Sequence, residues 1–251
     1  MNGFEVQTST ESFVGIESYG REGSATVQEF VSTFSPVYLD RKEAAVDSWR
    51  YAYVKRTLDA LMASAMLVVL AIPGLMIAAA ILATSRGPIF YRERRIGRYG
   101  RPFRIWKFRS MHTETSRPRG KHVAGGAGDD VAYRTRKNQH DPRITPIGGF
   151  LRRWSLDELP QLINVLRGEM SMIGPRPIIE AEACFYSDLL PFYLAATPGL
   201  SGLWQVSGRS NIDYPKRAAL DASYVLDWSL KSDFEILVQT IPAVLKKTGA
   251  C

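Results

Sequence analysis

Two adjacent carboxylates, Asp157 and Glu158, are the residues whose type and spacing best fit a chemical role. Proline is tolerated in a helix only within the first turn, so Pro160 predicts that a helix begins near residues 156–158. Asp157 would cap this helix, or Ser155 and Glu158 would form a capping box. In either register both carboxylates lie at a helix N-terminus, where an ionised carboxylate and a nearby phosphate are both favoured.

This pattern predicts phosphoryl transfer. An aspartate can attack phosphorus and form an acyl phosphate, while the adjacent Glu158 holds Mg²⁺ or orients the reacting groups. A lone Asp-Glu pair at a helix start is usually a solvated cap. Here the pair is accompanied by four arginines that could neutralise phosphate oxygens: Arg152, Arg153, Arg167 and Arg176.

An uncharged segment of 24 residues, 60–83, precedes these residues in the chain. As one helix it would be about 36 Å long, enough for the ~30 Å hydrocarbon core of a bilayer and longer than an ordinary buried core helix. Pro73-Gly74 interrupts it and predicts a kink or a break. A kinked helix that crosses the membrane and a broken helix that enters and leaves by one face are both compatible with the residues.

The flanks of this segment support a membrane location. Trp49, Tyr51 and Tyr53 precede it, as interfacial aromatic residues do. Nucleic acid is the common partner of a basic run, but beside an apolar segment anionic lipid headgroups or an anionic substrate fit better. The positive-inside rule places the following flank in the cytoplasm, because residues 86–109 contain one acid, Glu93, and nine bases: Arg86, Arg92, Arg94, Arg95, Arg98, Arg101, Arg104, Lys107 and Arg109.

Charge is unevenly distributed along the 251 residues. The overall charge is +7, but residues 1–49 contain eight acids and three bases, a net −5, so the remaining residues carry +12. The acidic start is rich in Ser, Thr and Gly, and 1–48 is predicted to be disordered, followed by a membrane-embedded segment at 49–85 and a cytosolic domain at 86–251. No basic start precedes an apolar core, so no signal peptide is predicted. Two cysteines, Cys184 and Cys251, exclude a disulfide scaffold.

The remaining elements are predicted from local patterns. A β-rich start covers 88–112, a glycine- and arginine-rich loop covers 113–140, and helices cover about 146–153 and 157–167. The glycine-rich stretch from Pro198 to Asn211, with Arg209, is either an anion-binding loop or a turn-rich connection. Amphipathic aromatic segments near both of its ends belong to the core or lie along a membrane interface.

Several sequence blocks, in order, resemble the bacterial sugar transferases, which are polyprenyl-phosphate hexose-1-phosphate transferases or monotopic phosphoglycosyl transferases. The resemblance covers about residues 50–247, and the tail is most similar to rhizobial-type members that initiate exopolysaccharide repeat units. The blocks are Lys107-Phe-Arg-Ser-Met111, Asp141-Pro-Arg-Ile-Thr145, Leu156-Asp-Glu-Leu-Pro-Gln-Leu162, Gly168-Glu-Met-Ser171, Gly174-Pro-Arg-Pro177 and Pro198-Gly-Leu-Ser-Gly202.

The resemblance implies a reaction. A UDP-hexose gives its sugar-1-phosphate to undecaprenyl phosphate, and UMP leaves. Asp157 would be the nucleophile that forms a phosphosugar–enzyme intermediate, with Glu158 as its partner and Mg²⁺ bound at this dyad. Similarity of the tail alone favours galactose over glucose as the transferred sugar. One alternative is the same chemistry with an N-acetylated amino sugar, and another is that the protein is a non-catalytic, membrane-attached basic binding protein. Residues at family positions that line the phosphate site are Lys107, Arg109, Arg152 and Arg176.

The resemblance also implies the architecture and location. The fold would be α/β and α-rich, with an N-terminal re-entrant helix-break-helix hairpin at Pro73-Gly74 and a catalytic domain with amphipathic interface helices. The protein would lie in the bacterial inner membrane with that domain facing the cytoplasm. One departure is Ile72, where family members often have serine before the proline. Nucleic acid is not expected as a partner, and the oligomeric state stays open, with a homodimer among the options.

Overall fold

The computed structural model of the protein describes residues 45–112, 143–208 and 212–245. Within them the chain is mostly helical with two small sheets, so the predicted α-rich α/β class is confirmed. Most of the acidic segment 1–48, the predicted loop 113–140 and Arg209 lie outside the described residues.

A bent pair of helices forms the N-terminal part. A π-helical stretch, Arg50–Lys55, leads into α1 (Arg56–Val69), and α2 (Ala71–Thr84) follows at 61°. The helix breaks at Leu70, whose backbone angles are φ −91° and ψ 5°, and not at Pro73-Gly74 as predicted. The proline still explains the break, because its ring cannot follow a continuous helix and here occupies the first turn of α2.

Among the described helices, no single one is both long and apolar enough to cross a membrane, whereas the bent pair passes that test of length and composition together. Large apolar side chains around the bend are exposed, and Val68, Val69, Ile72 and Leu75 each have more than 70% of their surface accessible. By contrast, Ala63 of α1 and Ile81 of α2 are fully buried against other elements of the chain.

An antiparallel β-hairpin follows, as the β-rich pattern at 88–112 predicts. Strand β1 (Phe90–Ile96) pairs with β2 (Pro102–Phe108), with Phe90 opposite Phe108 and Ile96 opposite Pro102. The turn between them contains a 3-10 stretch, Arg98–Gly100, in which Tyr99 adopts a left-handed backbone with φ 57°.

The segment that carries the Asp-Glu pair comes next. Helix α3 (Pro146–Arg153) has the predicted bounds. The second predicted helix is instead a 3-10 helix, Leu156–Gln161, that continues into a short α-helix, α4 (Leu162–Arg167). The tighter first part accommodates Pro160, and Gly168 ends α4 in the left-handed conformation with φ 78°.

The rest of the chain forms a second sheet and a helical layer. Strand β3 (Ser171–Ile173) pairs in parallel with β4 (Gly199–Ser201). Between them lie a 3-10 region, Glu180–Leu189, and α5 (Leu190–Ala195). The chain then continues through α6 (Leu203–Ser207), α7 (Tyr214–Leu226) and α8 (Leu230–Leu245).

Three buried clusters hold these elements together. The largest joins α1 and α4 to β3 and the C-terminal helices, and a second surrounds Tyr186 and Tyr193. The third contains Ile81, Phe108 and Leu151, so it packs the end of α2 against β2 and α3. This third cluster fixes the helical pair next to the Asp-Glu segment.

Candidate active site

The Asp-Glu pair lies in the first turn of the 3-10 helix, directly after a left-handed turn. Ser155 has φ 56°, and its side chain caps nothing, so the predicted Ser155–Glu158 capping box is wrong. The Glu158 amide instead donates to the Ser155 carbonyl at 3.3 Å. Asp157 is not the cap either, because it follows Leu156 inside the helix.

Two basic side chains from different elements converge on Glu158. The Lys107 Nζ, near the end of β2, lies 2.8 Å from the Glu158 Oε1, and the Arg176 Nη2 lies 3.5 Å from the same oxygen. Arg176 follows β3 in the Gly174-Pro-Arg-Pro block, so a strand end and a loop that are distant in sequence meet at one carboxylate. The structure thus brings together three of the predicted site residues around Asp157.

The Asp157 carboxyl is buried, with 9% of the residue accessible. Burial raises the pKa of this carboxyl, and the adjacent Glu158 charge raises it further, whereas Lys107 and Arg152 lower it. Within the described residues its only hydrogen-bond donor is its own backbone amide. A carboxylate held this way keeps its oxygens available to an incoming electrophile.

Arg152 is fixed by a contact that the sequence alone does not indicate. Its Nε donates to the Ser110 Oγ at 2.9 Å. The Ser110 carbonyl in turn accepts from the Thr145 amide at 3.1 Å, beside the start of α3. A Cβ on Gly148 would lie 2.0 Å from that carbonyl, so only glycine lets α3 approach the segment after β2. Ser110, inside the Lys-Phe-Arg-Ser-Met block, is therefore a positioning residue.

Arg109 lies against the end of α2. Its Nη2 donates to the carbonyl and hydroxyl of Ser85 at 2.7 and 2.8 Å. Only 4% of Arg109 is accessible, and its Nε and Nη1 have no hydrogen-bond partner within the described residues. The guanidinium thus caps the end of the bent pair with one nitrogen, and the predicted phosphate-binding role of Arg109 stays a prediction.

Asn164 is a second residue that sequence reasoning missed. It is fully buried, its Oδ1 accepts from the Trp106 amide at 3.0 Å, and its Nδ2 donates to the Arg104 carbonyl at 2.8 Å. These bonds fasten α4 to the outer edge of β2 and so fix the distance between Lys107 and the Asp-Glu pair. A polar residue within the apolar run Leu162–Leu166 was the available signal.

The predicted glycine-rich anion loop has a packing role at its start. Cβ atoms on Gly199 and Gly202 would lie 2.1 and 2.3 Å from backbone atoms of Gly174. These glycines let the β4 segment approach the block that carries Arg176. The described part of this stretch is mostly regular structure and not a turn-rich connection, because it contains β4 and α6, while Arg209 lies outside the described residues.

Magnesium fits the donor set only with help from a substrate. The described residues contain no group of three His, Cys, Asp or Glu side chains that could hold a metal ion. Mg²⁺ is typically bound through one or two carboxylates plus substrate phosphates and waters. Asp157 and Glu158, two adjacent carboxylates at one site, match that requirement.

Comparison with known proteins assigns the family. The family model described as "Bacterial sugar transferase" matches residues 50–247. The chain belongs to the bacterial sugar transferase family. The predicted resemblance and the assignment as a transferase enzyme are thereby confirmed, and the matched range begins at the bent helical pair and contains the whole Asp-Glu site.

Two of three relatives are named as sugar-phosphate transferases, and these two differ in the sugar that they name. The chain is 41% identical over 220 residues to "Exopolysaccharide production protein ExoY" of Rhizobium meliloti, covering 87% of this chain and 97% of the relative. It is 42% identical over 202 residues to "Undecaprenyl-phosphate galactose phosphotransferase" of Salmonella typhimurium, covering 79% of this chain and 42% of that relative. It is also 42% identical over 205 residues to "UDP-glucose:undecaprenyl-phosphate glucose-1-phosphate transferase" of Caulobacter vibrioides, covering 78% of this chain and 71% of that relative.

Proposed function

We propose that the protein transfers hexose-1-phosphate from a UDP-sugar to undecaprenyl phosphate, releasing UMP, and so initiates an exopolysaccharide repeat unit. The observation that carries this proposal is the buried Asp157 carboxylate beside Glu158, with Lys107, Arg152 and Arg176 around the pair. The relative from Rhizobium meliloti, which the chain covers almost completely, is named for exopolysaccharide production.

In the first step an Asp157 oxygen attacks the phosphorus that bears the sugar. The bond from this phosphorus to the bridging oxygen breaks, UMP leaves with that oxygen, and an aspartyl phosphosugar remains. In the second step a phosphate oxygen of undecaprenyl phosphate attacks the same phosphorus. The Asp157 carboxylate is released, and the product is undecaprenyl diphosphate sugar.

The surrounding side chains neutralise charge during both steps. Lys107 and Arg176 already lie at the Glu158 oxygen and can shift to the donor diphosphate, where their positive charges stabilise the developing negative charge. Arg152, held by Ser110, opposes the rise in the pKa of Asp157 that burial causes and so favours the ionised form of the nucleophile. Asp157 and Glu158 would hold Mg²⁺, which neutralises diphosphate oxygens when bound.

The covalent step has a direct test. The full-length protein is mixed with a UDP-sugar in the presence of Mg²⁺ but without lipid acceptor, and its intact mass is measured. We expect a sugar-phosphate adduct that peptide mapping assigns to Asp157. Asp227→Asn, a change of the same type at an exposed residue, should keep the adduct, and Asp157→Asn should lose it. Turnover without any adduct, under several donors, would favour direct transfer between the two substrates.

The transferred sugar is tested with a donor panel. Radiolabelled UDP-galactose, UDP-glucose and the two N-acetylated amino sugar donors are each offered with undecaprenyl phosphate, and label in the lipid fraction is counted. We expect a hexose to be used, with galactose ahead of glucose. Preferential use of an N-acetylated donor would move the protein to a different class of glycan.

We further propose that the bent helical pair enters and leaves the inner membrane by the cytoplasmic face. The exposed apolar side chains at the bend and the basic flank after Ser85 support this arrangement. Single cysteines at Ser48 and Arg86, in a chain without Cys184 and Cys251, are exposed to a membrane-impermeant thiol reagent in intact and in lysed cells. We expect both to react only after lysis; labelling of one of them in intact cells would indicate a crossing.

A further inference from the structure

A second polar cavity of about 420 Å³ lies at the start of α1, away from the Asp-Glu pair. Its walls come from the π-helical stretch and α1, from the β1–β2 turn and from the end of α4. Its volume falls within the range of small-ligand sites. Pro102 and Phe103, at one end of β2, line it, whereas Lys107, near the other end, contacts Glu158. The two sites are therefore about 15 Å apart along β2.

The inner wall of the cavity contains buried charges that are already paired. Lys55 and Asp59 have 3% and 6% of their surface accessible. The Lys55 Nζ donates to the Asp233 Oδ2 at 2.6 Å, and the Asp59 oxygens accept from the Ser171 hydroxyl and the Met172 amide. This wall, with one cation and two carboxylates, therefore carries no excess positive charge and is fixed by its own hydrogen bonds.

The outer wall carries an excess of positive charge. The four arginines that line it are accompanied by one acidic wall residue, Glu169, which accepts a hydrogen bond from Asn164. Arg56 donates both terminal nitrogens to backbone carbonyls at the end of α4, so its charge faces no carboxylate there. Arg98 is partly neutralised by Asp47 at 3.8 Å. The four are Arg56, Arg98, Arg101 and Arg167.

Two of these arginines are available to a ligand. Within residues 45–112, 143–208 and 212–245, the Arg101 and Arg167 side chains form no hydrogen bond or ion pair; Arg167 contacts only the Trp106 ring, 5.5 Å from its centroid. Like charges gathered around a cavity repel unless an anion lies between them. Guanidinium groups match phosphate oxygens in geometry and are more weakly hydrated than ammonium groups.

The β1–β2 turn that presents Arg101 is a strained one. Tyr99 has a left-handed backbone, an uncommon conformation for a bulky side chain. The turn is also closed tightly, because a Cβ on Gly97 would lie 2.8 Å from the Arg101 carbonyl. Tyr99 and Arg101 both line the cavity, so the strain is located at its rim.

We propose that this cavity binds a phosphate group of a second ligand, distinct from the substrates that react at Asp157. The ligand is a phosphate ester, carried either by a soluble molecule such as a nucleotide or by an anionic phospholipid headgroup. Both sources present the same tetrahedral anion to Arg101 and Arg167. The headgroup source rests on the proposed membrane location of the helical pair; the soluble source does not.

The test uses the full-length protein in phosphatidylcholine nanodiscs and two probes. Inorganic phosphate replaces chloride at constant ionic strength in one arm, and phosphatidylglycerol replaces a fifth of the lipid in the other. The melting temperature reports binding in both. The variant is Arg101→Ala/Arg167→Ala. The matched control is Arg94→Ala/Arg104→Ala, which removes two exposed arginines of the β-hairpin that do not line the cavity.

We expect the cavity variant to bind phosphate at least tenfold more weakly than the wild type and the control, or to lose the stabilisation by phosphatidylglycerol. The first result identifies a soluble phosphate ester and the second a headgroup. Equal behaviour of variant and control in both arms would overturn the proposal. Arg101→Lys/Arg167→Lys, which keeps the charges, should show a response between those of the wild type and the cavity variant. It serves as the control for misfolding of the alanine variant. Asp157→Asn should keep the wild-type stabilisation by phosphate or phosphatidylglycerol. A failure of the proposed transferase function would therefore be distinguished from a failure of this proposal.

Discussion

Two buried charge clusters at opposite ends of β2 differ in how their carboxylates are used. In the hairpin-base cluster, which comprises Lys55, Asp59 and Asp233, every carboxylate oxygen accepts at least one hydrogen bond. In the dyad cluster, Asp157 and Glu158 with their basic neighbours, the Asp157 carboxylate accepts only from its own amide within the described residues. The first cluster is saturated and the second is not.

This difference indicates a structural role for the hairpin-base cluster and a chemical role for the dyad cluster. A saturated ionic cluster joins elements, and here it ties the start of α1 to α8 and, through the Ser171 hydroxyl, to β3. An unsaturated buried carboxylate costs stability, because burial disfavours its charge and the basic neighbours offset that cost only in part, as the raised pKa of Asp157 indicates. Such a group is retained where a ligand or a reaction uses it. Substitutions in the two clusters should therefore act on different quantities.

The largest effect is expected from Asp157→Asn. Sugar-phosphate transfer should fall about 10³-fold or more, because the amide is not a nucleophile. The melting temperature should stay equal or rise, since a buried carboxylate whose burial cost is only partly offset is removed. Labelled transfer and thermal unfolding are measured on the same preparation. If the variant lost stability together with activity, Asp157 would have a structural role like the hairpin-base cluster, and the proposed difference between the two clusters would be wrong.

Lys55→Met should show the opposite pattern. Removing one partner of a buried ion pair leaves Asp59 and Asp233 without their cation and costs about 3–5 kcal/mol. Denaturant unfolding measures this loss. At temperatures where the variant is folded, its transfer rate should stay within a few-fold of wild type. Lys231→Met, which breaks the exposed pair with Glu235 at 3.6 Å, is the control and should cost less than about 1 kcal/mol.

Lys107→Met tests whether a basic neighbour in the dyad cluster acts on the reaction. We expect transfer to fall about 10²-fold, as is typical when one group that stabilises the reacting charge is removed. The loss should appear in kcat/KM for the UDP-sugar, and the lysine's partner Glu158 keeps a contact to Arg176 at 3.5 Å. Lys107→Arg should restore part of the rate. An unchanged kcat/KM would remove Lys107 from the phosphate-binding set.

Local sequence rules predicted the elements better than the contacts. The bounds of α3, the β-hairpin at 88–112 and the Asp-Glu pair in a first helical turn all follow from capping, alternation and the position of Pro160. The helix break was placed three residues too late, because Pro73 acts on the turn before it, and the break itself falls at Leu70. The capping box failed because the left-handed backbone of Ser155 is set by the turn after α3.

Long-range partners were beyond sequence rules. The bonds from Ser110 to Arg152 and from Asn164 to the β2 backbone join residues separated by 42 and about 60 positions. Their polar side chains carry no local pattern that names a partner. The same holds for the second cavity, whose four arginines come from three separate segments of the chain. Resemblance to the family named the residues proposed to react, but not those that hold them in place.

A third buried carboxylate, Asp221 in α7, tests how far the rule of saturation extends. Only 1% of the residue is accessible, its Oδ2 accepts from the Tyr186 hydroxyl at 2.8 Å, and its Oδ1 has no partner within the described residues. Burial raises the pKa of this carboxyl to about 8, while the Tyr186 hydrogen bond and Arg217 lower it. It lies between the two clusters in character, because one of its oxygens accepts a hydrogen bond and the other has none within the described residues.

The half-satisfied carboxylate should make stability depend on pH. Between its ordinary pKa of 3.8 and about 8 the folded state keeps the proton and the unfolded state releases it, so stability falls as pH rises through this window. Asp221→Asn should flatten that fall by up to about 1.4 kcal/mol for each pH unit. Unfolding free energies at pH 5, 6, 7 and 8 measure it, with Asp227→Asn, an exposed aspartate beyond α7, as the control. An unchanged slope would mean that Asp221 is ionised in the folded protein and that its open oxygen is satisfied in solution, which would limit the rule to the two clusters around β2.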